Sequence, residues 1–239
     1  MLKAFVMQEN KFQILSTKSL PESLIKRVSP EHIIIEAVPF IETEALQTIE
    51  VQQEIEQASI KTTTVIFTSK NAVEAVVDGL EDLQPDWNIY CIGYSTKEAV
   101  SDYFGEEKIL GTADNAAGLA ELIVEESNTG EAVFFCGNQR RDELPDILRA
   151  NDIDVHEIIV YHTIAVPKKI TKKYDGIIFF SPSAVDSFFK VNKTQESTVL
   201  FAIGNTTSNR IKKYSENKII ISKAPDKDHM IREVTNYFC

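Results

Sequence analysis

Val65-Ile-Phe-Thr-Ser-Lys-Asn-Ala-Val73, followed further on by Ile92-Gly-Tyr-Ser-Thr96, occurs twice in this chain. The second copy is Ile177-Ile-Phe-Phe-Ser-Pro-Ser-Ala-Val185, followed by Ile203-Gly-Asn-Thr-Thr207. Ser181 lies 112 residues after Ser69, and Gly204 lies 111 residues after Gly93. A period of that length is far beyond the roughly 20–50 residues of a solenoid repeat. It reads instead as two related domains presenting the same two turns, and so as a cleft with equivalent walls.

Outward from these stretches, short β-branched runs alternate with helix-spaced segments. Strands are predicted at 65–68, 88–92, 108–110, 132–136 and 155–161, with helices at 46–58, 71–79, 96–103, 118–126 and 142–150. The second copy repeats the order with strands at 176–180, 199–203 and 218–221 and helices from 183, 206 and 228, and then stops. Its missing pieces lie at the other end of the chain. Gln13-Ile-Leu-Ser, Leu20-Pro21 and His32-Ile-Ile-Ile resemble Val133-Phe-Phe-Cys, Leu144-Pro145 and His156-Glu-Ile-Ile. A helix near 21–28 joins the two N-terminal runs, and residues 1–11 read as an edge strand or hairpin.

The fold class that follows is α/β: two similar Rossmann/flavodoxin-like parallel-sheet domains of five strands each, one of them discontinuous. The expected domains are 1–38 with 168–239, and 42–162. Linkers at 39–44 and 163–168, marked by Pro39 and Pro167, form a hinge. A ligand is expected between the lobes, at the carboxyl ends of the strands.

Composition narrows the partners. The 239 residues are 43% apolar and 26% charged, as in an ordinary globular protein, and the net charge is −11. That acidity argues against a nucleic-acid or anionic-membrane surface, but a few donors in a cleft can still hold a small anion. The opening Met1-Leu-Lys-Ala-Phe-Val lacks the apolar core of a signal peptide, and no apolar run approaches the ~18 residues of a membrane span. A cytoplasmic location is expected. Cys91, Cys136 and Cys239 show no paired spacing, and the first two read as buried reduced thiols. No dinucleotide fingerprint or P-loop is present. The four histidines lack metal-ligand spacing, and no G-x-S-x-G elbow marks a serine nucleophile.

The chemistry is expected at the turns where helices begin: Ser69-Lys70-Asn71, Gly93-Tyr-Ser95-Thr96, Ser181-Pro-Ser183 and Gly204-Asn-Thr206-Thr207. Backbone N–H groups there have no partner within the helix, and each terminus stabilises an anion by about 0.3–1 kcal/mol. These hydroxyls can equally serve as helix caps alone. Arg140, in Gly137-Asn-Gln-Arg-Arg141, could clamp carboxylates or pair with Asp142 and Glu143 on the surface. Tyr161 closes the last strand of the continuous domain, where a tyrosine is either an amphipathic strand-end residue or part of a cleft floor.

Together these motifs resemble the uroporphyrinogen III synthase family over nearly the whole chain. They are Phe67-Thr-Ser-Lys-Asn-Ala-Val73, Ile92-Gly-Tyr-Ser-Thr96, Tyr161-His-Thr163, Phe179-Phe-Ser-Pro-Ser-Ala-Val185 and Ala202-Ile-Gly-Asn-Thr-Thr207. The resemblance implies two α/β domains with a two-stranded linker. It implies a lyase that cyclises hydroxymethylbilane to uroporphyrinogen III with inversion of ring D and loss of water, using no cofactor or metal. Nothing in the sequence suggests an obligate interface, and a monomer is expected. Tyr161 then matches the family's cleft tyrosine, and Ser95-Thr96 and Thr206-Thr207 its glycine-turn hydroxyls. A linear tetrapyrrole with eight carboxylates would be held by the helix starts with Lys18, Lys70 and Arg140. Two departures stand out: Thr17-Lys18-Ser19 replaces the usual Thr-Arg-Pro, and Asn151 stands where glycine commonly ends a helix. The alternative from another class is a non-catalytic two-lobed protein that binds a tetrapyrrole or another anion on the same fold.

Overall fold

A computed structural model of the chain describes residues 11–28, 30–81, 83–126 and 129–239. The strand or hairpin expected at 1–11 falls almost wholly outside them. The chain forms two compact units, residues 1–42 with 164–239, and residues 43–163.

The continuous unit carries a six-stranded sheet. In chain order its elements are β3 (Ile41–Ala45), α2 (Ile49–Ser59), β4 (Thr63–Phe67), α3 (Lys70–Leu80), β5 (Trp87–Ile92) and α4 (Tyr94–Phe104). They are followed by β6 (Ile109–Ala113), α5 (Ala116–Glu126), β7 (Glu131–Gly137), α6 (Glu143–Ala150) and β8 (Asp154–Ala165). The strand order is β3-β8-β7-β4-β5-β6. In the discontinuous unit the described residues form β1 (Phe12–Ser16), α1 (Glu22–Val28) and β2 (Ile33–Ala37). The unit resumes with β9 (Gly176–Phe179), α7 (Pro182–Phe189), β10 (Val199–Ala202), α8 (Asn205–Ile211), β11 (Ile219–Ile221) and α9 (Lys227–Phe238). Its order is β11-β10-β9-β1-β2, all parallel.

Read across the sheets, β2-β1-β9-β10-β11 and β8-β7-β4-β5-β6 are the same arrangement. Chain order alone differs, as in a circular permutation. In each sheet one adjacent pair of strands sends its connections in opposite directions, β1/β9 in one unit and β7/β4 in the other. Such a pair is a topological switch point, where α/β sheets open a crevice at their carboxyl ends.

Alternation explains the burial. Val65 and Phe67 face the core under α2, α3 and α4, while Ile66 between them faces the core under α5 and α6. The other sheet splits likewise, with Leu15, Ile177 and Phe179 toward α7 and α8 and Ile14, Ile178 and Phe201 toward α9. Each such side chain contributes about 1.5–3 kcal/mol when fully buried. Cys91 and Cys136 are free and buried, and burial pushes their thiols up to about 11 and about 12, so neither offers a thiolate.

The five strands expected of the continuous unit become six, because Ile41–Ala45, which overlaps the 39–44 linker, pairs at the edge of the sheet. Leu46 N–H donates to the Val160 carbonyl and Val166 N–H to the Phe40 carbonyl, an antiparallel sense. Its partner β8 also outruns the predicted 155–161. Glu42, Thr43, Glu44 and Ala45 are exposed, so this edge strand shows no apolar run. Helix α2 starts at Ile49 rather than 46, because Thr48 caps it by accepting from Val51 N–H.

Candidate active site

The switch point of the continuous unit is built from three chain segments. Ser69 follows β4 in an extended conformation and caps α3, its Oγ accepting from Ala72 N–H at 3.2 Å. Gly137 ends β7. Tyr161 lies on β8, and its hydroxyl stands 3.0 Å from Ser69 Oγ, two strands away. The ring reaches that far because it crosses Gly137. A Cβ added there would sit 2.4 Å from Tyr161 Cζ, so no other residue allows the approach.

A bulge aims the ring. Cys136 pairs with Ile159 but Gly137 with Tyr161, so β8 carries one extra residue at this point. Val160 is buried in the α3/α4 core and Tyr161 packs against the same core. Consecutive residues of a regular strand point to opposite faces, and the bulge is what puts both on one. Asn138 N–H donates to the Tyr161 carbonyl at 3.1 Å and fixes the backbone there.

Ser69 Oγ accepts the Ala72 amide N–H and donates its own proton to the Tyr161 oxygen. The phenol's proton is therefore not spent on Ser69.

The two glycine turns differ from the two serine turns. Ser181 caps α7 as Ser69 caps α3, accepting from Ala184 N–H at 3.1 Å. Gly93 and Gly204 begin α4 and α8 without a side-chain cap, leaving those first-turn N–H groups for water or a ligand. The hydroxyl pairs also divide. Thr96 and Thr207 are only 3% and 2% exposed, whereas Ser95 and Thr206 stand on the surface. Thr96 and Thr207, expected from the sequence to meet substrate, turn inward against the core in the first turns of their helices. Ser183 and Asn71 are half-buried beside their caps.

The basic residues divide too. Arg140 is committed to Asp142 at 2.6 Å and to Glu157, which together hold its guanidinium above its ordinary pKa despite desolvation. Of the two readings the sequence left open, the structure shows the pairing one, with Asp142 as expected and Glu157 in place of Glu143. Lys70 pairs with Glu74 one turn along α3, and that bond raises its pKa. Lys18 follows β1 at the other unit's switch point and makes no salt bridge among the described residues. Its residue surface is exposed, yet the atoms crowding its ammonium, and then the positive Lys227, hold its pKa below the usual lysine value. Among the described residues no group of three or more His, Cys, Asp or Glu could hold a metal ion.

Sequence reasoning missed Gly137, whose contribution is an absent side chain; its only signal was a glycine ending the run Val133–Cys136. A hollow of about 250 Å³ lined by Thr63, Glu131, Asp154 and His156 lies at the amino ends of the strands. We give it no part in the site, because helix starts and switch points belong to the opposite end.

Fold and site together define a duplicated, doubly wound α/β protein with a hydroxyl-lined switch point. The chain matches the family described as uroporphyrinogen-III synthase HemD over residues 24–232, and it belongs to that family. Its fold is similar to uroporphyrinogen-III synthetase from Helicobacter pylori, with a TM-score of 0.69 and 18% identity over 95% of this chain and 100% of that one. It is also similar to a mutant uroporphyrinogen III synthase from Thermus thermophilus, at 0.64 and 12% over 95% and 98%. At those identities the likeness speaks for the fold, and the family match carries the membership.

Proposed function

We propose that the chain cyclises hydroxymethylbilane to uroporphyrinogen III, releasing water and inverting the last pyrrole ring, with Tyr161 as the proton donor. The observation that carries this is the Ser69–Tyr161 contact across Gly137. As the carbon–oxygen bond of the hydroxymethyl group breaks, the phenol proton joins the departing hydroxyl to form water, and an azafulvene cation remains. The Ser69 proton, held 3.0 Å from the phenol oxygen, supports the negative charge that develops there. The cation then bonds to the substituted carbon of the last pyrrole, rearranges through a spiro intermediate and loses a proton, which balances the one given up by the phenol. Holding the bilane curled so that this closure outruns the simpler one is positional catalysis.

The substrate carboxylates are assigned to the uncapped starts of α4 and α8 at Gly93 and Gly204, to Ser95 and Thr206, and to Lys18. Ser69, Lys70, Asn71, Ser181 and Ser183 flank these points as supports. Acting on a small polyanion, the protein needs no basic surface, in keeping with its net charge of −11. We also propose a cytoplasmic monomer that binds no nucleic acid. No helix of the described residues is long and apolar enough to cross a membrane. A dimer mass by light scattering would count against the monomer.

The test supplies hydroxymethylbilane from a deaminase in situ, oxidises the product and separates the isomers by chromatography. A dominant type III isomer is expected. Only type I, the product of spontaneous closure, would refute the reading.

A further inference from the structure

We propose that Tyr94 is a substrate-contacting residue, its ring lying against the face of a pyrrole beside Tyr161; this rests on the reading above. Tyr94 is the first residue of α4 and is 81% exposed, the most exposed of the tyrosines named among the large exposed side chains. Among the described residues its ring pairs with no other aromatic ring and its hydroxyl makes no hydrogen bond. Folding therefore gives no reason for an aromatic here. Any polar residue would start this helix as well, and the corresponding first residue of α8 is Asn205.

The backbone directs Tyr94 to the site. Gly93 takes φ +78, and nothing lies within 4 Å of where its Cβ would be, so the space beside this turn is open. Strands β4 and β5 are neighbours, with Phe67 opposite Cys91. Adjacent strands lie about 4.8 Å apart, so the turns that leave them are neighbours as well. One holds Ser69 with the Tyr161 hydroxyl, and the other holds Gly93 and Tyr94. Both α3 and α4 pack on the same face of the sheet, the face that Tyr161 also joins. A pyrrole whose leaving hydroxyl meets Tyr161 is therefore within reach of the Tyr94 ring.

An electron-rich aromatic face suits this ligand. Pyrrole rings stack on it, and the azafulvene cation formed when water leaves is attracted by its quadrupole. The uncapped N–H groups of the same helix start take a carboxylate on the ring's edge, so one turn would hold both parts of a pyrrole acid.

The experiment compares Tyr94→Ala and Tyr94→Phe with the unchanged protein. Replacing so exposed a side chain leaves the melting temperature where it was, which separates binding from folding. Tyr94→Ala is expected to raise KM for hydroxymethylbilane about tenfold, the size of one lost base-like stacking contact. Tyr94→Phe keeps the ring and is expected to recover most of that affinity. A KM for Tyr94→Ala within about twofold of the parent, below any stacking energy of this size, overturns the proposal. If the parent protein makes only type I product, the functional reading has failed on its own account. The contact is then read from equilibrium binding of uroporphyrin III, where equal affinity in parent and Tyr94→Ala overturns it.

Discussion

The two switch points of this molecule share a strand order but not their contents. In the discontinuous unit the residue after β1 is Thr17, fully buried, with its hydroxyl donated to the Ile178 carbonyl at 2.8 Å across the strand pair. The crevice is filled by the backbone's own needs. In the continuous unit β7 ends in Gly137, and the space is taken by the Tyr161 ring on its way to Ser69. Strand β2, the counterpart of β8, ends in Ala37 and supplies no phenol. Duplication gave two scaffolds with the same helix starts. The proton donor was built into one of them, by a glycine, a bulge and a tyrosine together.

The sharpest way to break that comparison is at Tyr161. Tyr161→Phe keeps the ring over Gly137 and removes only the proton. We expect turnover to type III product to fall ~10²–10⁴-fold, the range for losing a general acid. Full turnover would reduce the two switch points to equivalents. Gly137→Ala should approach the same loss by another route, since its methyl would collide with the Tyr161 ring and push the hydroxyl off Ser69. Because both changes act on one group, the double variant should lose little more than either single one. Additive losses would place Gly137 outside this arrangement.

The glycine turns give a smaller, two-sided test. Gly93 has φ +78 and ψ 157, a region that is essentially glycine's own and costs another residue about 1–3 kcal/mol, so Gly93→Ala should lower the melting temperature. Gly204 has φ −178, extended backbone open to any residue, with nothing within 4 Å of a new Cβ. Gly204→Ala should therefore leave stability alone. Raised KM in that stable variant would show that the space is kept for substrate. An unchanged KM would remove Gly204 from the binding site.

Much of this was legible in the sequence, for a physical reason. Parallel strands buried on both faces read as apolar runs, and the residues that start helices are short and polar; Val65–Phe67 with Ser69 and Ile177–Phe179 with Ser181 therefore declared themselves. What stayed hidden depends on distant partners. Ile41–Ala45 becomes a strand only because β8 lies beside it. The bulge at Tyr161 is a property of the pairing between β7 and β8, and neither strand shows it alone. Pairing of Arg140 was one of two readings the sequence offered, but its partner Glu157, on the neighbouring strand, was out of sight. The split between exposed Ser95 and buried Thr96 likewise needs the helix face to be known.

The smallest expected effect concerns how each pair of turns is held. In the discontinuous unit Asp186 of α7 takes a two-pronged bond from Arg210 of α8, at 2.5 and 2.6 Å, and a third from the Tyr214 hydroxyl at 2.8 Å. The helices behind the Ser181 and Gly204 turns are thus tied to each other. In the continuous unit Glu74 stands at the matching point but pairs with Lys70 on its own helix, and Ala99 replaces the arginine. The Arg210 guanidinium, with Tyr214 behind it, holds the Asp186 carboxyl below the usual carboxylate range. A carboxyl lowered in the folded state adds stability that is fully present above its unfolded value of about 4 and is lost as pH falls through the lowered folded value. Asp186→Asn lacks that contribution at every pH. Its melting temperature should lie slightly below the parent's at neutrality, and the gap should close below about pH 4 as the parent's carboxyl is protonated. Thermal melts from pH 7 downward would show this, and a gap that stays constant into acid would mean that the tie between α7 and α8 is not carried by the charge on Asp186.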